Sequence, residues 1–311
     1  MARRRKARSA SLPWPFGWIR KLLRGGLLGL VFAAVIGGLW YYSEQEHRER
    51  MSWEGPPAVQ RSLDWRTFHR ILRNEGFLVG WSDLRMTPLW VLYRLDANHP
   101  AYRLPRPDGF ERDWRSGLPL SSDAYTGSGY DRGHMAPNYA IASVYGREAQ
   151  RQTFLMTNIA PQRPDLNRRL WQRLEAAVMD DMLPRFGTLW VVSGPIYGES
   201  FEWLPSCQRS LARLIELELP TCVSIPEAFY KIIVAPGEPG QGPRALAFIM
   251  PQRVRGDEPL DRYLVSIDEI EARTGLDFFP GLPASSQSQL ESQVDTSGWQ
   301  LERYARRPSR Y

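Results

Sequence analysis

Cysteine, histidine and lysine are all scarce in this chain, with two, four and three residues respectively among 311. Two cysteines exclude a disulfide-scaffold protein, and 25 glycines without a repeating spacing exclude a collagen-like one. No internal repeat is visible, and 43% apolar residues exclude a wholly disordered chain. The scarcity of lysine leaves arginine to carry the positive charge. A formal net charge of +6 points at first to a polyanion-binding protein, but residues 1–24 hold eight basic residues and no acidic one. Without them, 32 basic residues face 34 acidic ones, a net of −2. The basic character is a tail's, and affinity for polyanions elsewhere requires local patches.

Behind that tail, Gly25 to Ser43 runs for nineteen residues without a charge and closes on Trp40, Tyr41 and Tyr42. At ~1.5 Å per residue it would span roughly 28 Å, close to a bilayer core. Flanking cations and a terminal aromatic belt disfavour a buried core helix. A cleaved signal peptide is the stronger rival, but no clear small-x-small cleavage site follows the run. Positive charge stays in the cytoplasm, which predicts a single-pass membrane protein with residues from about 44 onward in the periplasm or outside the cell. The expected organisation is a basic cytoplasmic tail at 1–24, a transmembrane anchor at 25–43, a stalk at 44–61, a globular domain at 62–283 and a polar tail at 284–311 that is peripheral or disordered.

Within the globular part, apolar runs of strand length lie at Phe77–Trp81, Leu89–Leu95, Phe154–Ile159, Thr188–Ser193, Phe229–Val234 and Ala245–Met250. Helical patterns are fewer: Asp64–Asn74, Asp165–Met182, and Ser266–Thr274, where Ser266 and Glu269 form a capping box and Gly275 a stop. Strands interrupted by occasional helices predict an α+β domain with a largely antiparallel central sheet.

The chemistry gathers in Tyr130-Asp131-Arg132-Gly133-His134, followed 24 residues after His134 by Asn158, then by Pro161-Gln162, Asp165, Asn167 and Glu175. His47 falls in the stalk, His69 in the first expected helix and His99 before a proline, so His134 alone sits among groups that could use it. An imidazole beside an arginine suits attack on a phosphate: the guanidinium neutralises ester oxygens while the imidazole takes a proton from water. A lone histidine after glycine also serves structure, so the second half of the pattern matters. On a regular helix Asn167 and Glu175 would lie roughly 80° apart around the axis and about 12 Å apart along it, bordering one cleft. An amide carbonyl and a carboxylate are hard oxygen ligands that suit a hydrated Mg²⁺. Taken alone, the pair also fits a solvated helix face. Tyr130 to Glu175 carries seven arginines against four carboxylates, a local +3 that suits phosphate contacts or an arginine-rich solvated surface.

Together with Trp90 to Tyr93, Ser193 to Pro195, Ile225-Pro226 through Lys231, and Asp268 to Gly275, these motifs resemble the DNA/RNA non-specific endonucleases, the ββα-metal nucleases, from about Gly76 to Pro283. The resemblance implies that His134 is the general base, Arg132 a phosphate contact and Asn167 the direct protein ligand of one Mg²⁺, with Mn²⁺ as a substitute. It further implies that Glu175 holds the metal's water shell and that Asn158 supports the site by hydrogen bonding. Arg132 and the metal are then expected to lower the His134 pKa. The implied substrates are DNA and RNA with little sequence preference, cut to 5′-phosphorylated products, and a homodimer stays open. Readings from other classes are a catalytically silent nucleic-acid-binding receptor of the same fold and a small-molecule metal phosphoesterase.

Two departures from the family pattern stand out. Met179 occupies the position, one turn beyond Glu175, where an arginine often helps the leaving group. An apparent insertion between Leu204-Pro205 and Ile225-Pro226 is bracketed by Cys207 and Cys222, either a staple or two free buried thiols.

Overall fold

The structure is a computed structural model that describes residues 26–207, 222–237 and 242–308. It divides into one unit ending at His47 and a second running from Arg48 onward. Helix α1 (Gly26–Met51) begins inside the apolar run and continues through the polar residues that follow. Among the described residues no helix is long and apolar enough to cross a membrane. The expected basic tail and the first residue of the expected anchor lie outside the described residues.

In the second unit, the apolar runs become strands because each alternates side chains between two buried faces. In chain order they are β1 (Ala58–Val59), β2 (Arg70–Arg73), β3 (Leu78–Ser82) and β4 (Thr87–Asp96). The hairpin strands β5 (Asp131–His134) and β6 (Ile159–Gln162) flank helices α2 (Asn138–Tyr145) and α3 (Arg147–Thr153). Next comes a long helical stretch, α4, made of π-helical Leu166–Trp171, α-helical Gln172–Ala177, π-helical Val178–Met182 and α-helical Leu183–Phe186. Strands β7 (Thr188–Ile196), β8 (Ala228–Ala235), β9 (Arg244–Pro251) and β10 (Leu264–Val265) follow, then α5 (Ile267–Thr274), β11 (Leu276–Asp277) and α6 (Ala284–Glu291).

The central sheet has seven antiparallel strands in the order β10-β9-β8-β7-β4-β3-β2. One face, with Val79, Val91, Tyr93, Val191, Phe229 and Phe248, packs under the β5–β6 hairpin and α4. The other, with Leu78, Trp90, Leu92, Val192, Ile232 and Ala247, packs under α5 and Phe278. A sheet buried on both sides explains why the runs read as continuously apolar. Helix α5 ends as its sequence announces: Ser266 Oγ accepts from Glu269 N, and Gly275 takes the left-handed conformation (φ 71°) that closes the last turn.

Several expectations are corrected. Asp64–Asn74 is not a helix; a 3₁₀ turn at Trp65–Thr67 gives way to β2. Asp64 caps the start of this turn, accepting from the Arg66 backbone and side chain, and the residues beyond gain a full set of pairings on the edge of β3. In Phe154–Ile159 the strand starts only at Ile159, after a 3₁₀ turn at Met156–Asn158. The stretch expected to be a stalk contributes Met51 and Trp53 to the second core face, and β1 pairs with β11. The segment from Ala284, expected to be peripheral or disordered, folds as α6 and then buries Trp299, Leu301, Tyr304 and Ala305 in the first core face. Its few apolar residues are large, and burying such a side chain is worth ~1.5–3 kcal/mol. Cys207 and Cys222 are joined in a disulfide with Cα atoms 4.5 Å apart, at the base of the insertion whose residues 208–221 lie outside the described ones.

Candidate active site

Residues two apart on a strand point to the same side, so β5 presents Arg132 and His134 together. Gly133 between them faces β6, where any Cβ would run into the Gln162 carboxamide. That close approach requires glycine at this position. The backbone beyond His134 is fixed by Asn158, which is fully buried. Its Oδ1 accepts from Ala136 N (2.9 Å), its Nδ2 donates to the carbonyls of Ala136 (3.0 Å) and Thr153 (2.9 Å), and its own carbonyl accepts from Met135 N (3.0 Å). Asn158 therefore supports the site from behind and does not line the cleft.

Helix α4 forms the opposite wall. Asn167 lies in its first π-helical turn, Glu175 in the α-helical part and Met179 in the second π-helical turn. The wide turns depart from regular spacing, so the 80° separation expected of an ideal helix does not apply. Asp131 accepts from Asn167 Nδ2 (3.0 Å) and from both Nε (2.8 Å) and a terminal nitrogen (2.7 Å) of Arg168. A cleft of about 750 Å³ results, into which Arg106, Arg132, His134, Asn167, Glu175 and Met179 all face.

The electrostatics differ from residue to residue. The His134 ring packs edge-on against Phe154 (4.9 Å between centroids) and tilted against Phe110 (5.5 Å). Burial, with a smaller contribution from the Arg106 charge, pulls its pKa down to about 3. Its Nε2 has no protein partner. Arg132 donates to the Ser122 carbonyl (3.1 and 2.7 Å) and to Thr126 Oγ1 (3.2 Å). Glu175 Oε1 is buried without a protein partner. Burial pushes the Glu175 carboxyl pKa up, opposed by the charge of Lys231. Lys231 is itself fully buried, donating to Ser193 Oγ at 2.7 Å with its ammonium 4.3 Å from the Trp171 ring centre.

Of the residues singled out in the sequence, His134, Arg132, Asn167 and Glu175 meet at one cleft. Of the seven arginines between Tyr130 and Glu175, several are paired within the fold. Arg168 is held by Asp131, Arg151 by Glu111 and Glu148, and Arg173 donates to backbone carbonyls including those of Ala305 and Arg307. Residues missed from sequence are Arg106, Phe110 and Lys231. Arg106 and Phe110 sit in a loop between β4 and β5 with no periodicity to mark them. Lys231 closes one stretch of the family resemblance, but inside an apolar strand run nothing local gave it a role.

The donor set fits a hydrated divalent cation. With the Asn167 amide nitrogen committed to Asp131, its carbonyl oxygen is the atom left to ligate. The bare Glu175 oxygen would accept hydrogen bonds from the cation's waters.

A histidine on a β-hairpin facing an asparagine on a following helix, backed by an antiparallel sheet, is the arrangement that the resemblance to the ββα-metal nucleases predicts. The chain belongs to the family described as DNA/RNA non-specific endonuclease, whose profile matches residues 60–285. It is 30% identical over 237 residues to a nuclease of Nostoc sp., covering 72% of this chain and 78% of that one. To the mitochondrial nuclease EXOG of Mus musculus it is 34% identical over 238 residues, covering 72% of this chain and 61% of the mouse protein. To the nuclease of Serratia marcescens it is 31% identical over 215 residues, 65% of this chain and 72% of that one. A chain from the crystal structure of the EndoG/EndoGI complex superposes with a TM-score of 0.57 at 22% identity, over 75% of this chain and 91% of that chain, and so shares the fold.

Proposed function

We propose that this chain is a Mg²⁺-dependent endonuclease that hydrolyses phosphodiester bonds of both DNA and RNA, with Mn²⁺ as a substitute. The observation that carries the reading is the meeting of His134, Asn167 and Glu175, from two separated segments, at one cleft that Arg106 and Arg132 also face. His134, kept neutral by burial, takes a proton from the attacking water as its oxygen bonds to phosphorus. Arg132, held in place by the Ser122 carbonyl, neutralises a non-bridging oxygen. Asn167 and Glu175 would hold the hydrated metal, which when bound stabilises the charge developing on the phosphate and on the departing 3′ oxygen. The bond to that oxygen breaks and the oxygen takes up a proton from solvent, leaving a 5′-phosphate and a 3′-hydroxyl. Contacts to phosphate, rather than to base edges, account for tolerance of sequence.

Incubating the full chain with supercoiled plasmid and with RNA, in Mg²⁺ or EDTA, tests this. Cleavage of both polymers only with metal is expected. Binding without cleavage would favour the silent receptor, and neither would favour a small-molecule phosphoesterase.

We further propose that residues 25–43 anchor the protein in a membrane with the N-terminus cytoplasmic and the nuclease domain outside. The support is the charge asymmetry around nineteen uncharged residues. Protease added to intact spheroplasts should then remove the domain; digestion only after lysis would reverse the assignment.

A further inference from the structure

A second cleft, of about 590 Å³, opens on the other side of the central sheet. Its walls include Leu89 and Ile196, which belong to the core face under α5, whereas His134 packs against Phe110, which lies against the opposite core face. Arg85, from the β3–β4 turn, faces into this cleft although it is only 5% exposed. Aromatic rings surround its guanidinium: the central carbon lies 4.0 Å from the Tyr197 ring centre, 5.0 Å from Phe201 and 5.8 Å from Trp65. Among the described residues the guanidinium has no hydrogen-bond or ion-pair partner.

This is a costly place for a charge. Ring faces attract a cation but offer none of the strong acceptors that burial takes from part of the guanidinium's shell of water. The other charges of the cleft do not compensate it. Arg66 is bound by both oxygens of Asp64 (2.9 and 2.7 Å), and Arg273 pairs with Glu227. Arg61 and Glu199 offset each other in formal charge. Four arginines face three carboxylates in the lining, a formal net of +1. The missing component is an anion.

The aromatic residues say which kind. Trp65 and Phe201 are 46% and 41% exposed, and they stack on each other at 5.2 Å with 22° between their planes. Trp203 continues the stack against Phe201 at 5.1 Å and 8°. A flat exposed ladder beside a buried cationic fork matches a nucleic-acid strand, with phosphate on the guanidinium and base on the rings. An acidic peptide would use the cation and leave the ladder bare.

We propose that the Arg85 cleft is a second nucleic-acid site, separate from the catalytic cleft, that takes a backbone phosphate at Arg85 and a single-stranded base on the Trp65–Phe201 ladder. The inference rests on the reading of nucleic acid as substrate. It gives the domain a grip on a strand outside the cleft where bonds are cut, favouring long polymers over short ones.

The test uses the full chain carrying His134→Gly, so that the probe survives, and measures binding of a fluorescent 20-nucleotide oligothymidylate by anisotropy. Arg85→Met should weaken binding by ~10-fold and reduce the slope of log affinity against log salt by about one. Trp65→Ala, at an exposed position, should weaken it by a similar factor. In protein with His134 intact, both variants should hydrolyse a small chromogenic phosphodiester at the unaltered rate. Unchanged oligothymidylate binding in folded Arg85→Met and Trp65→Ala proteins would overturn the inference while plasmid cleavage by the parent chain kept the nuclease reading. Inorganic phosphate competing as strongly as the oligothymidylate, with no effect of Trp65→Ala, would reduce the site to a plain anion pocket and likewise overturn it. A parent chain that neither binds nor cuts would instead sink the reading on which it rests.

Discussion

Asp131 accepts the Asn167 amide hydrogen at 3.0 Å, tying β5 to α4 across the candidate active site. One carboxylate thus fixes the asparagine on one wall from a position three residues before His134 on the other. Its second duty, the two-pronged pair with Arg168, holds the carboxylate itself still. Asp131 is in this sense a positioning residue for the metal ligand.

Removing the ligand and removing its support should differ. Asn167→Ala is expected to abolish plasmid nicking at ordinary Mg²⁺. Glu175→Ala, acting through water, should cost less and be partly offset by more metal. Asp131→Ala should fall between them, raising the Mg²⁺ requirement while the maximal rate largely recovers. A Mg²⁺ titration of nicking rates checks all three, and a near-normal metal requirement for Asn167→Ala would refute the site assignment.

How far the sequence foretold this site follows from what each residue depends on. His134, Asn167 and Glu175 lie in short local motifs whose residue types announce their chemistry, and the strands β4, β7, β8 and β9 announce themselves as apolar runs. Arg106 owes its place to tertiary packing, so no local pattern marks it, and Lys231, though it ends a stretch of the resemblance, owes its interaction with Glu175 to packing of α4 on the sheet. The segment from Ala284 misled because average composition hides four buried residues, Trp299, Leu301, Tyr304 and Ala305, among many polar ones. Asp64–Asn74 misled because edge pairing with β3 outweighed a weak helical period. In the family's arginine position, Met179 does face the cleft, and Arg106 and Arg168 are further cations there.

An acidic cluster outside the cleft predicts the stability profile. Asp268, Glu271 and Glu291 bring carboxylate oxygens within 4.8 Å of one another where α5 meets α6. Burial, reinforced by the neighbouring carboxylates, raises Glu271 to about 7 and Glu291 to about 8. Carboxyls whose folded pKa exceeds the unfolded value keep protons that the unfolded chain has released. Their contribution to stability is therefore full below about 4.5 and is lost as pH rises toward 8. Glu291→Gln should flatten this dependence, as read by thermal melting from pH 5 to 8. An unaltered slope would show that the cluster does not titrate in that window.

The Cys207–Cys222 bond closes a loop with a sequence separation of 15. The chain-entropy account assigns a loop of this size ~3 kcal/mol. Reduction, or a Cys207→Ser, Cys222→Ser double variant, should lower the melting temperature and leave Mg²⁺-dependent nicking in place, because neither cysteine lines the catalytic cleft. Peptide mass mapping that found both thiols free in protein from its native compartment would remove the bond from the account.

His134 makes the sharpest pH prediction. An ordinary imidazole titrates near 6.5, and the sequence pointed to Arg132 as the charge that would lower this value. In the structure burial is the main cause and Arg106 the charge, and together they bring the pKa to about 3. The base then stays neutral from neutral pH down to about 4, so no loss of activity centred near 6.5 should belong to it. A histidine with a depressed folded pKa also weakens the fold as pH falls from 6.5 toward 3, because the unfolded chain takes up the proton first. His134→Gly should soften that acid sensitivity, keep DNA binding and lose ~10²–10⁴-fold in rate. Added imidazole should restore part of the rate, and the rescue should rise with pH as free imidazole loses its proton while the parent profile stays flat there. A folded His134→Gly protein that nicks plasmid at the parent rate would end the general-base assignment.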